Sequence, residues 1–341
     1  MKRPTLLAVE GIHRYRAPLL DQFYNYVQKP DFPINVVLDE RRNTGVRQIC
    51  EERLGLGIAP DYIMIGFGAN SSLAKSKTFL RVNNNIKIIY DPGDYTVLCG
   101  NIRDLECKDI RVDFLVIRML ETKGHALVER AFNKLKTRPE FDNTKIIYLS
   151  WGVNPNLYPK PNCERDIDIS IMYTATSHKR DIDRRIAVES LDKIWDKING
   201  YCTTHCGPKL TPTKHPSGDT FGVKYLDVLR RSKLFVVEAG LQQQCIVDFP
   251  SQKYFEGPMC GAAMIGQIPS PLKDYLKHDE SIIEVNDYTK LGEVVLDYLK
   301  RPEDIKRIAE EGRKVILENF TVDKVVKDFT NTILEDYKRK E

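Results

Sequence analysis

Six short apolar runs punctuate the first 150 residues: PTLLAVE, FPINVVLDE, DYIMIGFG, NIKIIYDPG, DFLVIRM and TKIIYLSWG. Each is built mostly of Val, Ile, Leu and Tyr and bounded by Gly, Pro, Asp or Asn, and none alternates between apolar and polar residues. A strand with one face in water has to alternate, whereas a strand covered on both faces does not. The runs therefore predict a largely parallel sheet with helices on both sides. Helical spacing between them, as at Ala126-Leu127, Ala131-Phe132 and Leu135, supplies that cover.

The stretch WGVNPNLYPKPNCERD, residues 151–166, holds three Pro and three Asn without periodicity and reads as a linker. A second series of the same kind follows it. DIDISIMYTATS, INGYCTTHCG, KLFVVEAG, AAMIG and SIIEVND read as strands. Helices are expected over Arg180–Ile198, in GVKYLDVLRRS, in LGEVVLDYLKRP, in EDIKRIAEEGRKVILENF and from Thr321 to Tyr337. The expected fold class is α/β, with two Rossmann-like doubly wound domains facing a cleft; ligands of such sheets bind outside the carboxyl ends of the strands.

At 341 residues and 42% hydrophobic, the chain can fill two cores. The net charge of +4 is spread along the sequence, which permits a phosphate-bearing ligand without demanding nucleic acid. No apolar run approaches the roughly 20 residues that span a bilayer. The apolar stretch of MKRPTLLAVEG stops at Glu10, too early for a signal-peptide core. Eight scattered Cys suit a reducing compartment, so the expected location is cytoplasmic.

The segment DFPSQKYFEGPMCGAAMIGQIPS, residues 248–270, puts Glu256 in a short helix with Gly257 and Pro258 directly behind it, and runs Cys260-Gly261 into an apolar strand. With the downstream IIEVNDYTKLGEVVLDYLKRPEDIKRIAEEGRKVILENFTVDKVV and the crossover WGVNPNLYP, it resembles the C-terminal half of group 1 glycosyltransferases of the GT-B fold. The branch it is most similar to is the spore-maturation glycosyltransferase-like one, whose pattern is Arg/Lys-x-Phe-Glu, a few small residues, Cys-Gly and an apolar strand. The resemblance spans residues 150–330. It implies a metal-independent hexosyl- or pentosyltransferase that moves a sugar from a nucleotide-diphosphate sugar to a hydroxyl acceptor. That acceptor would be a glycan, a lipid-linked sugar or a modified DNA base, with no cofactor beyond the donor substrate. Residues 1–152, joined by the C-terminal helix 321–341, would form the acceptor side, and residues 153–320 would bind the donor. A nucleotide-sugar epimerase or a non-catalytic nucleotide-sugar-binding protein could use the same cleft.

The resemblance gives Glu256 the ribose diol of the donor, and the chemistry agrees, because one carboxylate can accept from both hydroxyls of a cis-diol. A helix starting near Gln252 would aim amides and a positive dipole end at the diphosphate, and Gly261 would end it. Lys253 stands where the family has Arg or Lys and would reach the same phosphates. Asp248, eight residues before Glu256, occupies the first place of the family's Glu-x7-Glu pair as a catalytic candidate or a loop cap. At the first βα turn of the second domain, Thr176 and Ser177 could hydrogen-bond the diphosphate while Lys179 and Arg180 neutralise it. A solvated helix cap there is a poor fit, since Lys and Arg oppose the dipole. After the first strand, Gly11 allows close backbone approach and His13 is a candidate base. Asp91 and Asp94 in IIYDPGDY are rival bases, or caps of the Pro92-Gly93 turn. YCTTHC lacks a second ligand pair, so no metal site is expected.

Overall fold

Each apolar run that lacks alternation forms a strand of one of two wholly parallel sheets. The computed structural model describes residues 3–9, 23, 25–39, 41, 44–66, 75–91, 110–118, 133, 136–158, 164–173, 182–204, 223–238 and 250–339. The chain divides into two compact units, residues 1–152 with 322–341, and residues 153–321.

The first unit holds β1 (Thr5–Val9), β2 (Asn35–Asp39), β3 (Tyr62–Ile65), β4 (Lys87–Tyr90), β5 (Phe114–Ile117) and β6 (Lys145–Tyr148) in the order β2-β1-β3-β4-β5-β6. Helices α1 (Val46–Arg53) and α2 (Lys77–Val82) lie between strands in the chain. β3 and β5 are buried at every position, which is why their sequences do not alternate. The C-terminal helix Val322–Lys338 returns to this sheet. Its Val322, Val326, Phe329, Ile333 and Tyr337, at helical spacing, pack into one core with Leu6, Tyr62, Met64 and Phe114. Burying each such side chain is worth about 1.5–3 kcal/mol, so the helix is integral to the unit. Asp336 fixes its register by accepting from the Tyr62 hydroxyl at 2.9 Å and from Lys87 Nζ at 2.6 Å.

The second unit carries β7 (Ile167–Tyr173), α3 (Ile182–Asp192), β8 (Gly200–Thr204), α4 (Val223–Arg231), β9 (Ser232–Val237), α5 (Lys253–Met259), β10 (Ala263–Gly266), β11 (Ile283–Glu284), α6 (Leu291–Leu299) and α7 (Pro302–Asn319). The sheet order is β11-β10-β9-β7-β8. In both sheets the strand order reverses beside the first strand, between β1 and β3 and between β7 and β9. Such a switch point opens a crevice outside the strands' carboxyl ends.

Two local readings differ from the sequence expectation. The helix expected over Arg180–Ile198 ends at Asp192, and a 3-10 turn, Trp195–Lys197, follows. Tertiary packing overrides helical propensity there: Ile194 is buried in the core, and the Trp195 ring lies where a Cβ on Gly200 would stand, 2.7 Å away. The segment after Ser150 is more tied down than its composition suggests. Trp151, Val153 and Tyr158 are buried, Val153 bridges Thr321, and Asn154 caps a turn over Pro155–Leu157. Among the described residues, no helix is long and apolar enough to cross a membrane.

Candidate functional site

α5 spans barely two turns, and its environment accounts for its odd sequence. Tyr254, Phe255, Glu256, Gly257, Pro258 and Met259 are all buried, so the helix is enclosed on every side. Gly257 lets it approach β9, because a Cβ there would stand 2.7 Å from the Phe235 ring. Gly261 takes φ +77° and closes the helix: its amide donates to the Pro258 carbonyl at 2.8 Å, and the Ala262 amide donates to the Gly257 carbonyl at 3.1 Å. This is the Schellman arrangement, and it turns the chain directly into β10.

Glu256 is therefore a carboxyl inside the protein, 2% exposed. The Tyr225 hydroxyl on α4 hydrogen-bonds it, and its Oε1 has no hydrogen-bond partner among the described residues. Burial pushes its pKa up to about 8, against the pull of the Tyr225 hydrogen bond and the Lys253 charge. At neutral pH it is mostly a neutral acid. A ligand that donates two hydrogen bonds would favour the ionised form and draw the pKa down.

Lys253, the first residue of α5, meets Glu238, which directly follows β9 at the switch point. Its Nζ lies 2.9 Å and 3.1 Å from the two Glu238 oxygens, and Arg184 Nε of α3 lies 2.9 Å from Oε1. Desolvation opposes the Glu238 charge, but the charges of Lys253 and Arg184 more than offset it and its pKa is lowered. Burial also pulls the Lys253 ammonium below its ordinary value, with Glu238 acting against that. One carboxylate thus holds two cations beside the crevice. Glu238, Arg184 and Tyr225 were not singled out from the sequence. Glu238 had a signal, since an acid immediately after a buried strand is placed at the ligand-binding edge. Arg184 reads as a solvated helix face and Tyr225 as one aromatic in an amphipathic helix, and neither has a local cue.

In the first unit, Asp91 follows β4 and is 1% exposed. Arg118, after β5, grips it through two nitrogens: Nε donates to Oδ1 at 3.2 Å, and the second guanidinium nitrogen donates to Oδ2. The guanidinium stacks over Phe23 and Trp151, 4.8 Å and 5.5 Å from the ring centres. Among the sequence candidates the structure therefore brings Lys253 and Glu256 onto one helix closed by Gly261, and pairs Asp91 with Arg118. Gly11, His13, Asp94, Thr176, Ser177, Lys179, Arg180 and Asp248 lie outside the described residues. Among the described residues, no cluster of three or more His, Cys, Asp or Glu is arranged to hold a metal ion.

Residues 184–331 match the family described as glycosyl transferase-like. No curated protein is a detectable sequence relative of the chain. In structure it is similar to sucrose-phosphate synthase from Thermosynechococcus elongatus, with a TM-score of 0.66, 11% identity, and coverage of 99% of this chain and 100% of that one. HepE from Anabaena in complex with UDP-glucose follows, with a TM-score of 0.61, 11% identity, and coverage of 97% and 99%. A glycosyltransferase from Rickettsia africae gives a TM-score of 0.54, 14% identity, and coverage of 99% of each chain. At these identities the structural likeness speaks for the fold. The chain has the GT-B fold, and its residues 184–331 match a glycosyl transferase-like family.

Proposed function

We propose that the protein transfers a glycosyl group from a nucleotide-diphosphate sugar to a hydroxyl acceptor, and that the second unit binds the donor. The observation that supports this most directly is Glu256, a buried carboxyl with one oxygen unpartnered among the described residues, inside the glycosyl transferase-like stretch. A ribose cis-diol offers two O–H donors, which that carboxyl can accept once ionised. Arg184 and Lys253, gathered by Glu238 at the end of β9, supply positive charge where a diphosphate would lie. With Thr176, Ser177, Lys179 and Arg180 next in the chain after β7, this cationic edge can do the charge work for which other enzymes use a metal ion. Metal independence is part of the proposal.

On the acceptor side, His13 and Asp94 are the proposed bases. Asp91, locked to Arg118, is better suited to holding the edge of β4 and β5 in place. Asp248 is proposed to face the transferred sugar. The Lys253-x-Phe255-Glu256 motif with Cys260-Gly261 argues for the spore-maturation-like branch within the fold.

Isothermal titration calorimetry with UDP-, GDP- and ADP-sugars at pH 8 tests the reading. UDP-glucose is the first probe because HepE was crystallised with it. One nucleotide sugar should bind, and Glu256→Ala should weaken it about ten-fold to a thousand-fold through the loss of up to two charge-assisted hydrogen bonds. No binding by any nucleotide sugar, or an unchanged affinity in Glu256→Ala, would refute it.

A further inference from the structure

The second unit has a cavity at the amino ends of its strands, the opposite end from Glu238. Arg165 lies two residues before β7, Lys233 is the second residue of β9, and Gly261 lies two residues before β10. These three line the cavity together with Leu299 at the end of α6 and residues of α7, and its volume is about 420 Å³. That is the size of a small-molecule site, for which roughly 300–1,000 Å³ is usual.

Its lining divides into two chemistries. Leu299, Pro302, Ile305 and Ala309 make an apolar wall. Arg165, Lys233, Lys306 and Arg313 bring four cations, against the single carboxylate Glu310 among the lining residues. Two of the cations are anchored internally: Arg165 donates to the Ser232 and Cys260 carbonyls, and Lys233 pairs with Asp168 at 2.7 Å. The other two, Lys306 and Arg313, form no ion pair among the described residues. The Nε of Arg313 is buried and has no hydrogen-bond partner among them. A buried donor without an acceptor is unfavourable, and among the described residues no acceptor, Glu310 included, meets the Arg313 Nε. Apolar surface beside unpaired cations matches a ligand with a hydrocarbon body and one anionic head.

We infer that this cavity binds a small amphipathic anion, a carboxylate or phosphate monoester with an apolar chain, seated with its head between Lys306 and Arg313 and its body against Leu299, Ile305 and Ala309. The inference does not depend on the sugar-donor reading, because none of these residues serves that site.

Calorimetry on the full chain with decanoate, decyl phosphate, decanol and inorganic phosphate tests it, and the first two arms separate the two head groups. At least one of the two amphipathic anions should bind one to one, and about tenfold or more tighter than decanol or inorganic phosphate. The surface variant Lys306→Gln and the shape-conserving Arg313→Met should each weaken that anion, and Ala309→Trp should fill the cavity and abolish its binding. UDP-glucose affinity, or the thermal unfolding midpoint if no nucleotide binds, should stay unchanged in Lys306→Gln, which shows that the variant is folded. Binding of neither amphipathic anion, equal binding of decanol, or full binding in a folded Ala309→Trp would overturn the inference.

Discussion

Asp91 in the first unit and Glu256 in the second are both carboxyls withdrawn from water, 1% and 2% exposed, yet they are opposites. Asp91 has its counterion within the protein: Arg118 meets both of its oxygens and is itself buried under aromatic rings. Among the described residues, Glu256 has one hydroxyl partner, no cation in hydrogen-bond contact, and an oxygen left over. The first is a closed interaction, satisfied without a ligand. The second is an open one, unfavourable as it stands and favourable only when something donates to it. In a buried carboxyl, unused hydrogen-bonding capacity points to a ligand more strongly than burial does.

The sharpest way to break the contrast is to remove one partner on the closed side. Arg118→Met leaves an uncompensated charge on Asp91 in the interior, and breaking a buried pair in this way costs about 3–5 kcal/mol. Urea denaturation followed by a probe in the first unit should show that loss. The double variant Asp91→Leu with Arg118→Met should recover most of it, because apolar replacement of a whole buried pair is often near neutral. A loss below about 1 kcal/mol in the single variant would mean that water reaches Asp91 and that the two carboxyls are not opposites.

On the open side the same logic predicts stabilisation. The Glu256 pKa is raised to about 8 in the folded protein from an ordinary value of 4.5. Between those two values the folded chain holds a proton that the unfolded chain has released, so this group's contribution to stability falls as pH rises through the window. Glu256→Gln keeps the shape and removes the titration. It should be stabilising by about 1 kcal/mol at pH 5 and by about 4 kcal/mol at pH 8, while donor affinity falls. Differential scanning calorimetry at the two pH values checks the sign. A variant destabilised equally at both would show that Glu256 is ionised and satisfied.

How far the sequence reveals this depends on the range of the cause. The strands were legible because burial on both faces removes alternation, a local property of runs such as Tyr62–Ile65 and Leu234–Val237. Lys253, Glu256 and Gly261 were legible because they share one motif of nine residues, and the Gly turn that ends α5 is a local constraint. The partners were not. Glu238 lies 15 residues before Lys253, Arg184 is 54 before Glu238, and Arg118 is 27 beyond Asp91. Those distances in sequence are spanned by crossovers whose register only the folded sheet sets. The early end of α3 was hidden for the same reason, since Trp195 stops the helix by packing on Gly200, which belongs to the next strand.

The smallest effect is also the most specific to the open carboxyl. The Tyr225 hydroxyl hydrogen-bonds Glu256 and favours its ionised form, so it lowers a pKa that burial raises. Tyr225→Phe removes that one donor and leaves the ring, and a lost hydrogen bond to a charged group of about 1.5 kcal/mol corresponds to roughly one pKa unit. The Glu256 titration, followed by NMR of a carboxyl-labelled protein without any ligand, should therefore move up from about 8. If ionised Glu256 accepts from the donor's ribose, UDP-glucose affinity should fall about tenfold at pH 7, where less of the carboxylate is available, and recover as pH rises past the new midpoint. A loss of affinity that stays constant with pH would mean that Tyr225 contacts the donor itself. A titration that does not move would mean that the hydroxyl does not support the carboxylate, and Glu256 would then be a buried neutral acid like any other.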